Sequence, residues 1–260
     1  MIYIQKRRTP RQIKQKAAEI IAAPENRYAA IGLPKDTARL RDLFEQMPKD
    51  AIMEALYKEQ HGLCAYCMQS LGSQKPYRMK IEHHKALSRD KERALDFQNF
   101  LGVCFGGEKE KGEKPHILCC DAARGEKALT IDPRDRRQME AIGYKRNGEI
   151  FIRGDKGLDP TLADVLQADL DAVLLLNGKK DANGKVVHDT ATKLVAKRRS
   201  IYQSVCTQFE RWDKKKCLTA GFLKDKIDHL ERQLKEDAVA EGYIGVRLYF
   251  YKRKYERLKK

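Results

Sequence analysis

Five of the seven cysteines in this 260-residue chain fall between Cys64 and Cys120, and two of them form the run Cys64-Ala65-Tyr66-Cys67. No other feature constrains the fold as much. A CxxC turn presents two thiolates to one ion, and cysteines clustered near it read as the rest of a metal site rather than as scattered disulfides. The other half must come from Cys104, Cys119 and Cys120. Adjacent cysteines do not comfortably ligate one tetrahedral ion together, so Cys119 and Cys120 compete for one position. Zinc bound in this way staples a segment too polar to build its own core, and its binding energy becomes folding energy. Cys206 and Cys217 lie apart, in sequence of helical spacing, and read as ordinary buried thiols.

The remaining composition narrows the setting. A hydrophobic share of 42% and a mean hydropathy of -0.67 suit a soluble globular chain with a real core. No apolar run approaches the length of a membrane span, and the N-terminus lacks a secretory signal core. A cytoplasmic protein with no membrane partner is therefore expected. Lys and Arg number 53 against 37 Asp and Glu, a formal charge of +16. Such an excess favours polyanionic partners, because neutralising phosphates releases condensed counterions. A solvated helical surface explains the same count. From Lys193 onward there are 19 basic and 9 acidic residues, so the surplus is concentrated at the end of the chain.

Residues 10–58 read as helical, with Pro10 in a first turn, Asp50 as an N-cap and Gly62 as a terminator. The cysteine-rich segment follows to Asp132. Its interior, Phe105 to Leu118, is charged and glycine-bearing and reads as a mobile loop in which His116 is exposed. Asn147-Gly148 predicts a type I′ hairpin. Helical patterns follow over Thr161–Asn177, Thr190–Lys214, Phe222–Asp237 and Gly242–Leu258, with a turn-bearing excursion at 181–188. Three segments result, 1–58, 59–135 and 136–260; with no repeats or low-complexity linker, they are expected to pack together.

Between the two cysteine half-sites lie "KIEHHKAL" and "LDFQNFLGVC", and "CCDAARGEKALTIDP" follows. In order, Cys64-Ala65-Tyr66-Cys67, Glu82-His83, Asn99 leading to Cys104, and Cys120-Asp121 with Arg124-Gly125 resemble the HNH endonuclease family. The resemblance implies an α+β chain: a zinc-stapled ββα-metal core over 59–135 with helical N-terminal and C-terminal extensions. Its register implies Cys64, Cys67, Cys104 and Cys120 as the zinc ligands. Hydrolysis of a phosphodiester needs a water-derived nucleophile and neutralisation of developing charge. A neutral imidazole suits the first task, which points to His83. A divalent cation, Mg2+ or Mn2+, suits the second. The resemblance implies Glu82 and Asp121 as its ligands, and Asn99 as the residue that fixes the loop aiming His83. Neighbouring strand residues face opposite ways, so Glu82 and His83 converge only where a bulge or strand end turns one of them. His84 is a second candidate base. Glu82 stands where the family commonly has Asp, and Asp121 where it has Asn or His; both remain hard oxygen ligands. Arg124 and Lys127 read as phosphate contacts or as surface charge.

The hairpin after Pro133, "LLLN", and "TKLVAKRRSIYQ" look like the PtuB-like HNH proteins of retron and Septu anti-phage systems. That narrower resemblance implies an ABC/AAA-type ATPase partner and, in retron systems, a reverse transcriptase with its RNA–DNA product. The C-terminal "RLYFYKRKYERLKK" then offers basic residues to phosphate and aromatics to bases or a partner, or else buries its aromatics in the core. Two other functions account for part of the pattern: a non-catalytic zinc module that binds nucleic acid or an ATPase, and a stand-alone homing or restriction enzyme. DNA is the default substrate, with RNA such as tRNA left open.

Overall fold

The structure, a computed structural model, describes residues 1–108, 117–236 and 239–260. His116, and the expected end of a helix at Asp237, lie outside them. The fold is mixed: helices carry most of the regular structure, and the sheets are two-stranded and antiparallel.

Three helices come first, α1 (Arg11–Ala22), α2 (Thr37–Glu45) and α3 (Lys49–Glu59). α1 buries Ile13 and Ile20, two turns apart on one face. Pro10 stands just before its first turn rather than within it. α3 starts at Lys49 behind Pro48, so Asp50 is not the cap; it lies inside the first turn, where its negative charge is favourable at the positive end of the helix dipole. Gly62, at φ +71, closes α3 by donating to Tyr57 O.

Strands β1 (Lys80–His83) and β2 (Phe100–Val103) pair with Glu82 opposite Leu101 and His83 opposite Phe100. Gln60, just past α3, serves β2 as a one-residue strand. Its Oε1 accepts from Gly102 N and its Nε2 donates to Gly102 O, each at 2.7 Å. A side chain at position 102 would put a Cβ 2.6 Å from Met79 Cε, so the end of Met79 would have to shift to admit one. A single helical turn, α4 (Asp121–Arg124), follows.

Beyond it come α5 (Arg136–Glu140) and the hairpin of β3 (Ile142–Tyr144) with β4 (Ile150–Ile152). Its turn is not type I′. Gly148 has a positive φ of +94 but Asn147 does not, and Gly148 N donates to Lys145 O. That is a three-residue connection closed by a glycine bulge. Buried Arg198 donates to Gly148 O at 2.6 Å. α6 (Pro160–Ala168) stops well short of Asn177 and passes into a π-helical turn at Asp169–Val173. There the Asp169 carboxylate turns inward to accept from Thr130 N and Ile131 N at 2.7 and 2.8 Å, which locally unwinds the helix. The hairpin of β5 (Lys179–Lys180) and β6 (Val186–His188) and three helices complete the chain: α7 (Leu194–Lys214), α8 (Ala220–Gln233) and α9 (Ile244–Leu258).

In α9 the aromatics belong to the core. Tyr249 meets Tyr144 edge-on at 5.6 Å, and Tyr251 meets Phe209 and Trp212 at 5.6 and 5.8 Å. Lys252, Arg253, Lys259 and Lys260 remain outside. One hydrophobic cluster includes Ile13, Phe44, Tyr66, Phe100, Leu166 and Tyr251, so it crosses both expected segment boundaries. No described helix is long and apolar enough to cross a membrane.

Candidate metal centre and carboxylate–histidine site

Cys64, Cys67, Cys104 and Cys120 are buried with their sulfurs all within 4.8 Å of one another. The separations include 3.7 Å for Cys67–Cys104, 3.8 Å for Cys104–Cys120 and 4.0 Å for Cys64–Cys120. A tetrahedral ion with bonds of about 2.3 Å needs sulfurs roughly 3.8 Å apart, so these thiols fit zinc. In the first half-site, Met68 N donates to Cys64 O and Gln69 N reaches Cys67 Sγ at 3.5 Å. In the second, Gly106 stands at φ +62, and a Cβ there would lie 2.1 Å from Cys119 O. Cys120 completes the group of four, whereas Cys119 lies outside it, 3.5 Å from the Thr192 hydroxyl with its sulfur still beside Cys104. The C-terminal half holds this backbone from two sides: Cys120 N donates to Leu174 O and Tyr243 N to Met68 O, each at 2.9 Å. The Cys67 and Cys120 thiols are pushed up, with the neighbouring Cys104 sulfur the leading cause, a crowding of sulfurs that a bound cation relieves. Cys206 and Cys217 are free and half-buried rather than buried.

Beside the cysteines, Glu82 from β1 and Asp121 at the start of α4 lie side by side. Burial, and then the adjacent Asp121, push the Glu82 carboxyl up to about 8. Burial also opposes ionisation of Asp121, but the hydrogen bonds from Glu82 and Lys80 prevail and hold it below the usual range. Lys80 Nζ lies 2.7 Å from Asp121 and 2.9 Å from Glu108. The Tyr66 hydroxyl donates to Glu82 Oε1 at 3.3 Å, and Arg124 Nη1 donates to the same oxygen. Two adjacent carboxylates are suitable donors for Mg2+ or Mn2+, whose remaining positions are commonly filled by water and phosphate oxygens. Among the described residues no third carboxylate or imidazole joins this pair to make a larger cluster.

Arg124 departs from both expectations for it. It is buried, at 2% exposure, and is neither a surface charge nor a free phosphate contact. Besides Glu82, its guanidinium donates to His83 O, His84 O and Lys127 O at 3.2, 2.8 and 3.0 Å. Lys127 is exposed.

His83 ends β1. The β1–β2 register runs through it without a shift, so no bulge turns Glu82 and His83 together. The imidazole stands edge-on to Phe44 and Phe100, at 4.5 and 4.9 Å between centroids. Its Nε2 is 2.9 Å from Ala94 O. A carbonyl only accepts, so Nε2 carries the hydrogen and Nδ1 keeps a lone pair. Burial lowers this imidazole to about 4, which leaves it neutral at physiological pH. Asn99, wholly buried, braces the intervening loop: Nδ2 donates to Lys85 O and Arg93 O at 2.9 and 3.1 Å, and Oδ1 accepts from Lys85 N at 2.8 Å. Arg93 immediately precedes the Ala94 carbonyl that holds His83. His84 is also lowered to about 4 by burial. Its Nε2 donates to Ile131 O at 3.1 Å, while its Nδ1 is enclosed without a hydrogen-bond partner.

Three residues in this site were not picked out by sequence reasoning. Lys80 had a signal, because it stands two places before Glu82 and strand side chains repeat every two residues. Tyr66 and Phe44 had none, since only the folded chain brings them to Glu82 and His83. No family model matches this chain, and no curated protein matches it either.

Proposed function

We propose that this chain is a metal-dependent endonuclease of the HNH type that hydrolyses phosphodiester bonds in nucleic acid. The observation that carries the proposal is a neutral His83, held by Ala94 O and braced by Asn99, at the end of the strand that also carries Glu82 beside Asp121. His83 Nδ1 takes a proton from water as the water oxygen bonds to phosphorus, and the bond from phosphorus to the leaving oxygen breaks. The leaving oxygen acquires its proton from solvent. A divalent cation held by Glu82 and Asp121 would supply Lewis-acid neutralisation of the charge on the phosphoryl oxygens. The four cysteines fit a structural zinc and take no part in these steps.

The formal charge of +16 supports nucleic acid as the substrate, with DNA the default and RNA such as tRNA included in the assay. The flanking resemblance supports an effector role in retron or Septu defence with an ABC/AAA-type ATPase, and with a reverse transcriptase and its RNA–DNA product in the retron case. One observation favours a second reading: Glu82 is covered by Arg124, as in a purely structural ion pair. A zinc module that binds nucleic acid or an ATPase without cleaving would look the same there. Incubating plasmid, single-stranded DNA and tRNA with the chain, with and without Mg2+ or Mn2+ and with and without the ATPase, separates the readings. Cation-dependent cleavage supports the nuclease; binding without cleavage in every arm supports the module.

A further inference from the structure

Each cysteine half-site delivers side chains to the carboxylate pair. Tyr66 lies inside the first knuckle, between Cys64 and Cys67, and is wholly buried. Asp121 and Arg124 follow directly from Cys120. Tyr66 and Arg124 both donate to Glu82, and both to the same atom, Oε1. A carboxylate held through one oxygen presents the other in a fixed direction. The two donors differ in kind: Arg124 also carries the carbonyls of His83 and His84 and so supports the strand itself, whereas the Tyr66 hydroxyl has Glu82 as its hydrogen-bond acceptor.

We propose that Tyr66 is a positioning residue for the hydrolytic cation: its hydroxyl, fixed by the zinc knuckle, orients Glu82 so that Oε2 faces the cation beside Asp121. This inference rests on the endonuclease reading. It makes the zinc site more than a staple, because the backbone that the thiolates anchor also carries the group that aims a ligand. Partners of this kind, one shell out from a metal, typically change affinity by about 10–100-fold when removed.

The test is a Mn2+ titration of the full zinc-loaded chain followed by electron paramagnetic resonance, with zinc content and melting temperature measured on each sample. Wild type, Tyr66→Phe, Glu82→Gln and a variant with p-aminophenylalanine at position 66 are compared. The expected result is Mn2+ affinity about 10–100-fold weaker in Tyr66→Phe at unchanged zinc, near-complete loss in Glu82→Gln, and substantial recovery with p-aminophenylalanine, which restores a donor at the same place. Tyr66→Phe within twofold of wild type while Glu82→Gln loses Mn2+ would overturn the positioning role and leave the endonuclease reading standing. Loss of zinc in Tyr66→Phe would also overturn it, since the hydroxyl would then be holding the fold. Wild-type affinity in Glu82→Gln, or no Mn2+ binding by wild type, would remove Glu82 as a ligand and take down the cation assignment and this inference together.

Discussion

His83 Nε2 lies 2.9 Å from Ala94 O, and that contact decides which ring nitrogen keeps its lone pair. The ring is neutral because it is buried, with Lys49 as the leading electrostatic contribution in the same direction. Lys49 comes from α3, outside the segment expected to hold the site, and its ammonium lies 3.2 Å above the Phe44 ring that packs on His83. Nitrogen-15 NMR of the histidines should show His83 as the Nε2–H tautomer at pH 7, titrating well below 6.5. In Lys49→Met the titration should move upward, because a repelling charge is gone. An unchanged midpoint would place Lys49 outside the electrostatic reach of His83.

Asn99 contributes three hydrogen bonds from a wholly buried position. Asn99→Ala should destabilise the chain by about 1–3 kcal/mol and speed hydrogen exchange at the Lys85 amide. Nuclease activity should fall with it although His83 is intact. Denaturant unfolding and exchange on the same variant check both parts.

Cys119 and Cys120 should behave differently although they are neighbours. Cys120→Ser should lose zinc and unfold the segment around β1 and β2, because one ligand of four is gone. Cys119→Ser should retain one zinc per chain, since the four sulfurs close enough to share one ion are those of Cys64, Cys67, Cys104 and Cys120. Metal analysis with thermal unfolding separates the two variants directly.

The histidines also predict how stability follows pH. His83 and His84 are both lowered to about 4 from an ordinary value of 6.5. Between those values the unfolded chain binds protons that the folded chain does not. The stabilisation is therefore complete above pH 6.5 and is lost as pH falls through 4, by up to about 3 kcal/mol per histidine. His84→Gln keeps a donor for Ile131 O without a titrating group. Compared with wild type, its unfolding free energy should fall less steeply from pH 6.5 to 4.

The four-cysteine cluster was legible in the order of residues, and the reason is chemical. A CxxC with further cysteines clustered after it has few uses other than holding a metal, and four of those thiols do come together. Side-chain direction was not legible. Arg124 reads as a phosphate contact from composition, yet the carbonyls of β1 and the Glu82 carboxylate draw it inward. The aromatics of α9 alternate with lysines as a stacking surface would, but they pack on Tyr144, Phe209 and Trp212 from elements far away in sequence. The Asn147-Gly148 pair did mark a hairpin, and α7 holds its turn through a hydrogen bond from Arg198 to Gly148 O. For Arg124 and the α9 aromatics, partners distant in the chain decided where the side chains go.

In the proposed reaction His83 is the base of a cation-dependent hydrolysis performed beside a zinc-stapled fold. The most direct test compares wild type with His83→Ala in Mg2+- or Mn2+-dependent cleavage, with zinc content and melting temperature measured on the same preparations and the ATPase added in a parallel arm. Wild type should cleave, and His83→Ala should be slower by about 10²–10⁴ at equal zinc. Equal cleavage by the two proteins, or loss of zinc in His83→Ala, would contradict it.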